Sequence, residues 1–576
     1  MPAHKNYSPP GTRLTLNRRR FLAYFTAAGL GSTLMPEMMT VAAQETDEIT
    51  VDMVKTAEKM AGLAFPPEMR ERFARELTQL RTTYKNLSDM NMGQETPPCL
   101  IFNPIPPGYE TIEPPRQPVE TSSVSITLPG NDEDIAFLPV THLSALIKTR
   151  QITSTDLTKL YISRIKRYDR QLNSVITLTE RLALEQAQRA DEEIAAGDYR
   201  GTLHGIPYGL KDLISVKGYP TTWGAEPYKN QIIDTDATVY TRLSAAGAVL
   251  VAKLASGALA SSSSYWFGGE TKNPWNTDQP AGGSSGGSGA SVAAGLVAFA
   301  LGTETQGSIM NPSGRCGITG LRPTFGRVSR HGIMPLSWSM DKVGPMCRSA
   351  EDCAIVLSAM YGPDGYDMSV FDRPFEWKLS TDFSAIRAGY IETSGEQAGG
   401  RRSGQGEAAQ TQQRQISERT LDTLKSLGIT VKTLTLPESI QARDLGFILH
   451  SESAAMFDRI VRDGSIDTME NSSRPYTFRV RRFVPAAEYI QANRARTRLL
   501  QELNEAIRDY DIIFGWSTGL TNHTGHPAIT FNQGFVNGVP SGFRFNGNLF
   551  KEAEMLAIAR AFQNRTDHHL QRPRLS

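Results

Sequence analysis

Apolar residues recur at helical spacing at Met69, Phe73, Leu77, Leu80, Tyr84 and Leu87, with Pro66-Pro67 just ahead of them. That period predicts a helix lying on a larger domain. A second stripe runs through Leu157, Leu160, Tyr161, Ile165 and Tyr168, directly after the helix-start signal Thr153-Ser154-Thr155-Asp156. Short apolar runs such as Ala248–Ala252 read as buried strands. Their alternation with helical stripes predicts an α/β layer fold. The small, apolar stretch from Ser291 to Leu301 reads as one buried element. Residues 91–135 are rich in proline and polar side chains, which predicts a linker wrapping the surface. Residues 394–415 are polar and Gly-rich and read as a mobile loop. Residues 440–515 hold helical patterns with Phe, Tyr and Arg, the expected mouth of a substrate site. The organisation is then an N-terminal helical segment and linker over 44–135, followed by a main domain over 136–570.

The ends and the charge balance narrow the class. Asn17-Arg18-Arg19-Arg20-Phe21-Leu22 leads into a short, modestly apolar run ending near Met35, and Val41-Ala42-Ala43 offers small residues for cleavage before Gln44. This resembles a twin-arginine signal peptide over 1–43. It predicts contact with the twin-arginine export machinery and a bacterial, periplasmic location. The apolar run is shorter than a membrane span needs, and an uncleaved anchor is the alternative. The chain has 61 basic and 60 acidic residues among 576, which gives no electrostatic case for a nucleic-acid partner. Four cysteines are too few for a disulfide framework. Cys347 and Cys353 are close in sequence, but spacing alone does not pair them. Oligomeric state is not encoded legibly.

Candidate chemistry centres on two serine-bearing glycine turns. The first is Gly282-Gly283-Ser284-Ser285-Gly286-Gly287-Ser288, and the second is Gly302-Thr303-Glu304-Thr305-Gln306-Gly307-Ser308. Ser284 and Ser308 are 24 positions apart. Gly/Ser runs are commonly flexible linkers. Here the flanks differ: Asn273-Pro274-Trp275 precedes with turn chemistry, and a buried apolar stretch follows. Glycine lets backbone amides approach a ligand, and a serine in such a turn can be a nucleophile beside N–H donors. The first turn also fits G-x-S-x-G, the elbow of a Ser-His-Asp hydrolase. That elbow needs a strand directly before the serine, and Asn276–Ala281 carries no strand signal. A lysine offers another activator. Lys211 sits in Gly205-Ile206-Pro207-Tyr208-Gly209-Leu210-Lys211 with Leu213 and Ile214 beyond it. Most lysines are solvated, and Lys217 and Lys229 read that way. Burial would make Lys211 a neutral base. His523 and His526 have no Cys or acidic partners to make a metal site and read as structural. His568-His569 reads as part of a solvated tail.

Together these segments are identified as those of the amidase signature family. The resemblance rests on Gly205–Thr222, Asn273–Pro312, Gly317–Pro345 and Gly525–Glu552, in order, and spans roughly residues 140–565. It implies a large mixed sheet between helices, with the amidase signature catalytic domain over 136–570. It implies a Ser-Ser-Lys triad: Ser308 as nucleophile, Ser284 as bridging serine after a cis Gly283–Ser284 bond, and Lys211 as base. Ser285 would support Lys211 by a hydrogen bond. The amides of Thr305, Gln306, Gly307 and Ser308 would form an oxyanion hole. The substrate would be a small-molecule amide, and no metal or organic cofactor is called for.

Two positions depart from the family pattern. Gln306 stands where a glycine is common, which makes Thr-Glu-Thr-x-Gly-Ser most similar to peptide-amidase-like members. Met310 stands where many members have arginine, which argues against a substrate carboxylate near the scissile bond, with simple packing as the other reading. The expected function is that of an exported amidase. The alternatives are the glutamine-cleaving subunit of a tRNA amidotransferase and a non-catalytic binding protein on the same fold.

Overall fold

The computed structural model describes residues 48–61, 66–89, 100–105, 119–391, 407–436, 442–469, 471–516 and 518–575. The proposed signal peptide, the side chains of Leu80, Tyr84 and Leu87, and positions 394–406 of the expected loop lie outside that set. The chain divides into two compact units, Met1–Asn91 and Met92–Ser576. In the first, helices Val51–Ala61 and Arg70–Asp89 contact each other. Arg70 clasps the buried Glu58 through Nε and Nη2, each at 3.0 Å from a carboxylate oxygen. The periodic stripe forms the second helix as expected, entered through one 3-10 turn at Pro67–Met69.

In the second unit the helix Ser154–Leu172 begins where its sequence signal lies. Thr153 accepts the Asp156 N–H at 2.9 Å, and Leu157, Leu160, Tyr161, Ile165 and Tyr168 are buried. A mixed sheet forms the centre. Its first strands are β1 (Val175–Leu178), β2 (Pro207–Lys211) and β3 (Val249–Leu254). Two short ribbons follow, β4 (Tyr265–Trp266) with β5 (Gly269–Glu270) and β6 (Lys272–Asn273) with β7 (Asn276–Pro280). The sheet continues with β8 (Phe299–Glu304), β9 (Thr319–Arg322), β10 (Lys342–Cys347), β11 (Arg387–Tyr390) and β12 (Thr430–Thr433). It closes with β13 (Ile512–Phe514), β14 (Ala528–Val536) and β15 (Val539–Gly547). The order of its eleven strands is β1-β3-β2-β8-β10-β9-β14-β15-β13-β11-β12. Strand β2 is parallel to both β3 and β8, while β10 is antiparallel to β8 with Lys342 opposite Glu304. Strands β2, β3, β8 and β10 are buried throughout, as central strands covered on both faces must be.

Four local expectations need correction. Ser291–Leu301 is not one element: the helix Gly286–Ala293 ends, Gly295 turns the chain at φ +63°, and β8 begins at Phe299. Asn276–Pro280 is a strand, although it lacks apolar alternation. Tertiary anchors create it, because Trp275 Nε1 donates to the Cys316 carbonyl at 2.8 Å and Asn273 Nδ2 to that of Arg315 at 3.0 Å. That strand belongs to a two-stranded ribbon outside the main sheet, so it does not build a hydrolase elbow. Positions 407–415 belong to the helix Glu407–Lys425, held to β15 where Ser541 Oγ donates to Gln413 Oε1 at 2.8 Å. His568 and His569 are half-buried rather than solvated, and burial lowers the His569 pKa to about 4. Cys347 and Cys353 are both buried free thiols.

Candidate active site

The two parallel strands β2 and β8 end at the same edge of the sheet, and their last residues are Lys211 and Glu304. Ligand sites in sheets of this kind form beyond the carboxyl ends of the strands. Lys211 is fully buried, and its Nζ donates to Ser284 Oγ at 2.7 Å. It also donates to Thr303 Oγ1 at 2.9 Å and to the Thr303 carbonyl at 3.3 Å. Burial lowers the Lys211 pKa to about 7, although Asp341 and Glu304 pull in the opposite direction. A substantial neutral fraction at neutral pH is what a base requires.

Ser284 follows a cis peptide bond at Gly283. Gly283 has no room for a side chain: a Cβ there would lie 2.1 Å from the Ser263 carbonyl oxygen. The helix Gly286–Ala293 begins just beyond. It is built of small residues because Gly287 approaches the backbone of Ala255 and Ser174, within 2.5 Å of where its Cβ would stand. Close backbone contact thus fixes Ser284 over the end of β2. Ser308 is held next to this turn, since the Ser285 N–H donates to the Ser308 carbonyl at 3.1 Å. Among the described residues no hydrogen bond joins the Ser284 and Ser308 hydroxyls.

Ser285 does not bond Lys211. Its hydroxyl donates to the Thr303 carbonyl at 3.1 Å and accepts the Thr303 N–H at 3.3 Å. Thr303 is the direct partner of the lysine, and Ser285 acts one bond further out.

The turn from Thr305 to Ser308 bends because Glu304 pins both its ends. One carboxylate oxygen accepts the N–H groups of Ile309 at 2.8 Å and Met310 at 3.0 Å. The other accepts from Arg322 Nη1 at 2.7 Å and Asn522 Nδ2 at 3.0 Å. Burial opposes ionisation of Glu304, but Arg322, Lys342 and the two amides outweigh it and hold its pKa at about 2. Gly307 completes the bend at φ +88°, a conformation glycine adopts without strain. The amides of Thr305, Gln306, Gly307 and Ser308 donate to no protein acceptor among the described residues. Adjacent N–H groups of this kind suit a developing oxyanion.

The outer wall comes from distant chain. Thr305 Oγ1 donates to Asp341 Oδ1 at 2.5 Å, and Asp341 Oδ2 accepts the Leu336 and Ser337 amides at 2.7 and 3.0 Å. Helices Gly446–Met456 and Ala486–Ile507, in the expected mouth region, secure this loop. Glu452 accepts from Ser337, Ser339 and Tyr489, and Arg496 donates to Ser339 and to the His523 carbonyl. Gln306 is exposed, and its Nε2 lies 3.2 Å from His523 Nε2. Burial and then the nearby Arg496 and Lys342 lower the His523 pKa to about 3, so its ring is neutral. His526 Nδ1 bonds Thr524 Oγ1 at 2.8 Å, and the His526 carbonyl accepts Arg322 at 2.8 Å. Met310 is fully buried in the core, consistent with packing rather than substrate contact.

Sequence reasoning missed Thr303, Glu304, Arg322 and Asp341 as site builders. All four lie in the segments that carry the family resemblance, but nothing in composition or period shows that they meet.

Residues 156–516 match the family profile described as Amidase. The chain is 34% identical over 487 residues to a glutamyl-tRNA(Gln) amidotransferase subunit of Marinomonas sp. (strain MWYL1), covering 76% of this chain and 98% of that protein. It is likewise 34% identical over 483 residues to the corresponding protein of Methylococcus capsulatus, covering 75% of this chain and 97% of that protein. Its fold is similar to that of native peptide amidase from Stenotrophomonas maltophilia, with a TM-score of 0.68 at 28% identity, covering 76% of this chain and 98% of that one.

Proposed function

The chain belongs to the amidase signature family of carbon–nitrogen hydrolases, and we propose that it cleaves its amide through an acyl-enzyme on Ser308, with Ser284 and Lys211 relaying the proton. The carrying observation is the 2.7 Å contact from a fully buried Lys211 to Ser284, beside a turn of amides without protein acceptors. Neutral Lys211 takes the Ser284 proton as Ser284 takes that of Ser308. The Ser308 oxygen then bonds the amide carbon. The oxyanion rests on the amides of Thr305 to Ser308, each donor contributing about 3–4 kcal/mol by comparison with donor deletions elsewhere. The relay returns its proton to the nitrogen as the C–N bond breaks. Water, deprotonated by the same relay, then releases the acid. Labelling with a fluorophosphonate tests the assignment. Wild type is expected to react, and equal labelling of Ser308→Ala would overturn it.

Two finer readings divide the substrate. The resemblance of Thr303–Ser308 to peptide-amidase-like members, and the similarity to the peptide amidase fold, support a small or peptide-like carboxamide. The amidotransferase relatives at 34% identity support glutamine as amide donor, and on sequence this second reading has the stronger relatives. Export, read from Arg18-Arg19-Arg20-Phe21-Leu22, supports the first. Ammonia release from L-glutamine against a panel of peptide and aryl amides, measured on the purified chain, separates them.

A further inference from the structure

Among residues 303–310 Gln306 alone is exposed; Gly307 is partly open and the others are buried. An exposed glutamine is ordinarily free and solvated. This one is tethered. Its Nε2 lies 3.2 Å from Nε2 of His523, a fully buried residue. Gln306 is that ring's one hydrogen-bond partner among the described residues, since Nδ1 has none. Burial, Arg496, Lys342 and His450 all keep the ring neutral. A neutral Nε2 can accept a carboxamide N–H, which puts the ring proton on Nδ1.

Holding a glutamine in one place costs roughly 1.5–2 kcal/mol of rotamer freedom. A side chain that only meets water gains nothing from such restraint, whereas one that meets a ligand binds it more tightly. The tether uses one N–H. Gln306 Oε1 and its second N–H have no protein partner among the described residues. Other polar groups nearby are already committed: Thr305 Oγ1 to Asp341, Glu452 to Ser337 and Ser339, and Arg496 to Ser339.

The free edge of Gln306 also stands in the right place. Its backbone N–H belongs to the expected oxyanion turn, so a substrate carbonyl oxygen would lie about 3 Å from that turn's amides. The carboxamide reaches about 5 Å from its own Cα. Atoms one or two bonds from the scissile carbon fall within that reach. In an N-acylated amino-acid amide a second amide occupies those positions. In a simple alkyl or aryl amide only carbon does.

We propose that Gln306 is a specificity-determining residue: oriented by His523, its carboxamide hydrogen-bonds a second amide next to the scissile one and so selects peptide-like amides. The inference rests on the Ser308 reading for turnover and on the Gln306–His523 contact for orientation.

N-acetyl-L-phenylalaninamide and 3-phenylpropanamide differ only in the second amide. The kcat/KM for ammonia release from the first should exceed that from the second by at least about tenfold, the scale of one hydrogen bond. Each ratio is taken on one variant, so a loss common to both substrates cancels. Gln306→Ala should cut the ratio about tenfold. His523→Leu, which frees Gln306, should lower it about threefold as rotamer freedom returns. Adding His523→Leu to Gln306→Ala should change the ratio no further, because the histidine acts only through the glutamine. A wild-type ratio near one, a ratio unchanged by Gln306→Ala, or faster hydrolysis of L-glutamine than of the acetylated amide overturns the proposal. If neither amide is hydrolysed, the Ser308 reading is what fails, and calorimetry decides on the contact. N-acetyl-L-phenylalaninamide should then bind Ser308→Ala about tenfold more tightly than Ser308→Ala with Gln306→Ala. Equal binding, or none, overturns the proposal.

Discussion

Lys211 Nζ stands 2.7 Å from Ser284 Oγ with both side chains fully buried, and Thr303 supplies the lysine's other two acceptors. Burial moves the lysine pKa from 10.5 down to about 7. Because the base form is neutral, kcat/KM should rise with pH through an ascending limb near 7 and level off above it. Lys211→Arg keeps a charge at every accessible pH and should lose activity throughout. A flat profile between about pH 5 and 9 in wild type would remove Lys211 from the relay.

Asp341 raises the Lys211 pKa by its charge. Neutralising it in Asp341→Asn should shift the ascending limb to lower pH. The same change weakens the Thr305 contact, so kcat should also fall. A limb that moves to higher pH would contradict the electrostatic account.

Ser308→Ala should reduce kcat by at least about ten-thousand-fold, the scale seen when a hydrolase nucleophile is removed. Ser284→Ala should approach the same loss, because the two act as a unit, and the double variant should be little worse than either. Additive losses in the double variant would mean that the serines do not share one proton path.

Thr303→Val removes the hydroxyl at 2.9 Å from Lys211 while keeping the carbonyl contact. An acceptor favours the charged amine, so its loss should shift the pH limb further down and lower kcat about tenfold, a typical cost of one orienting bond. Thr303→Ser should restore both. Ser285→Ala, which reaches the lysine only through Thr303, should have the smaller effect.

Glu304 carries stability as well as shape. Its folded pKa of about 2 lies below the ordinary value of 4.5, so its ionised form is favoured by folding. That contribution is fully present above pH 4.5 and is lost as pH falls towards about 2. Glu304→Gln leaves Arg322 fully buried without its carboxylate and should cost about 3–5 kcal/mol at neutral pH. Thermal denaturation at about pH 7 and about pH 3 checks both points: the gap between wild type and variant should narrow at the lower pH.

The sequence by itself determined a good deal of this protein. Helical and strand periods placed Arg70–Asp89, Ser154–Leu172 and β3, because amphipathic spacing and capping residues are local properties. The glycine turns around Ser284 and Ser308, and Lys211 in apolar company, stood out as candidate positions because both patterns are visible in one dimension, while the roles of the surrounding amides came only from the family resemblance. Their meeting was decided by tertiary structure. Parallel pairing of β2 with β8 brings Lys211 to Thr303 across 92 positions. Glu304 holds the Thr305–Ser308 turn only because Arg322 and Asn522 arrive from other strands and helices to balance a buried charge. The β7 strand, the split of Ser291–Leu301, and the distance of Ser285 from Lys211 also follow from contacts with remote backbone. No local pattern carries those contacts, because a buried hydrogen-bond network is specified by which groups the fold leaves facing one another.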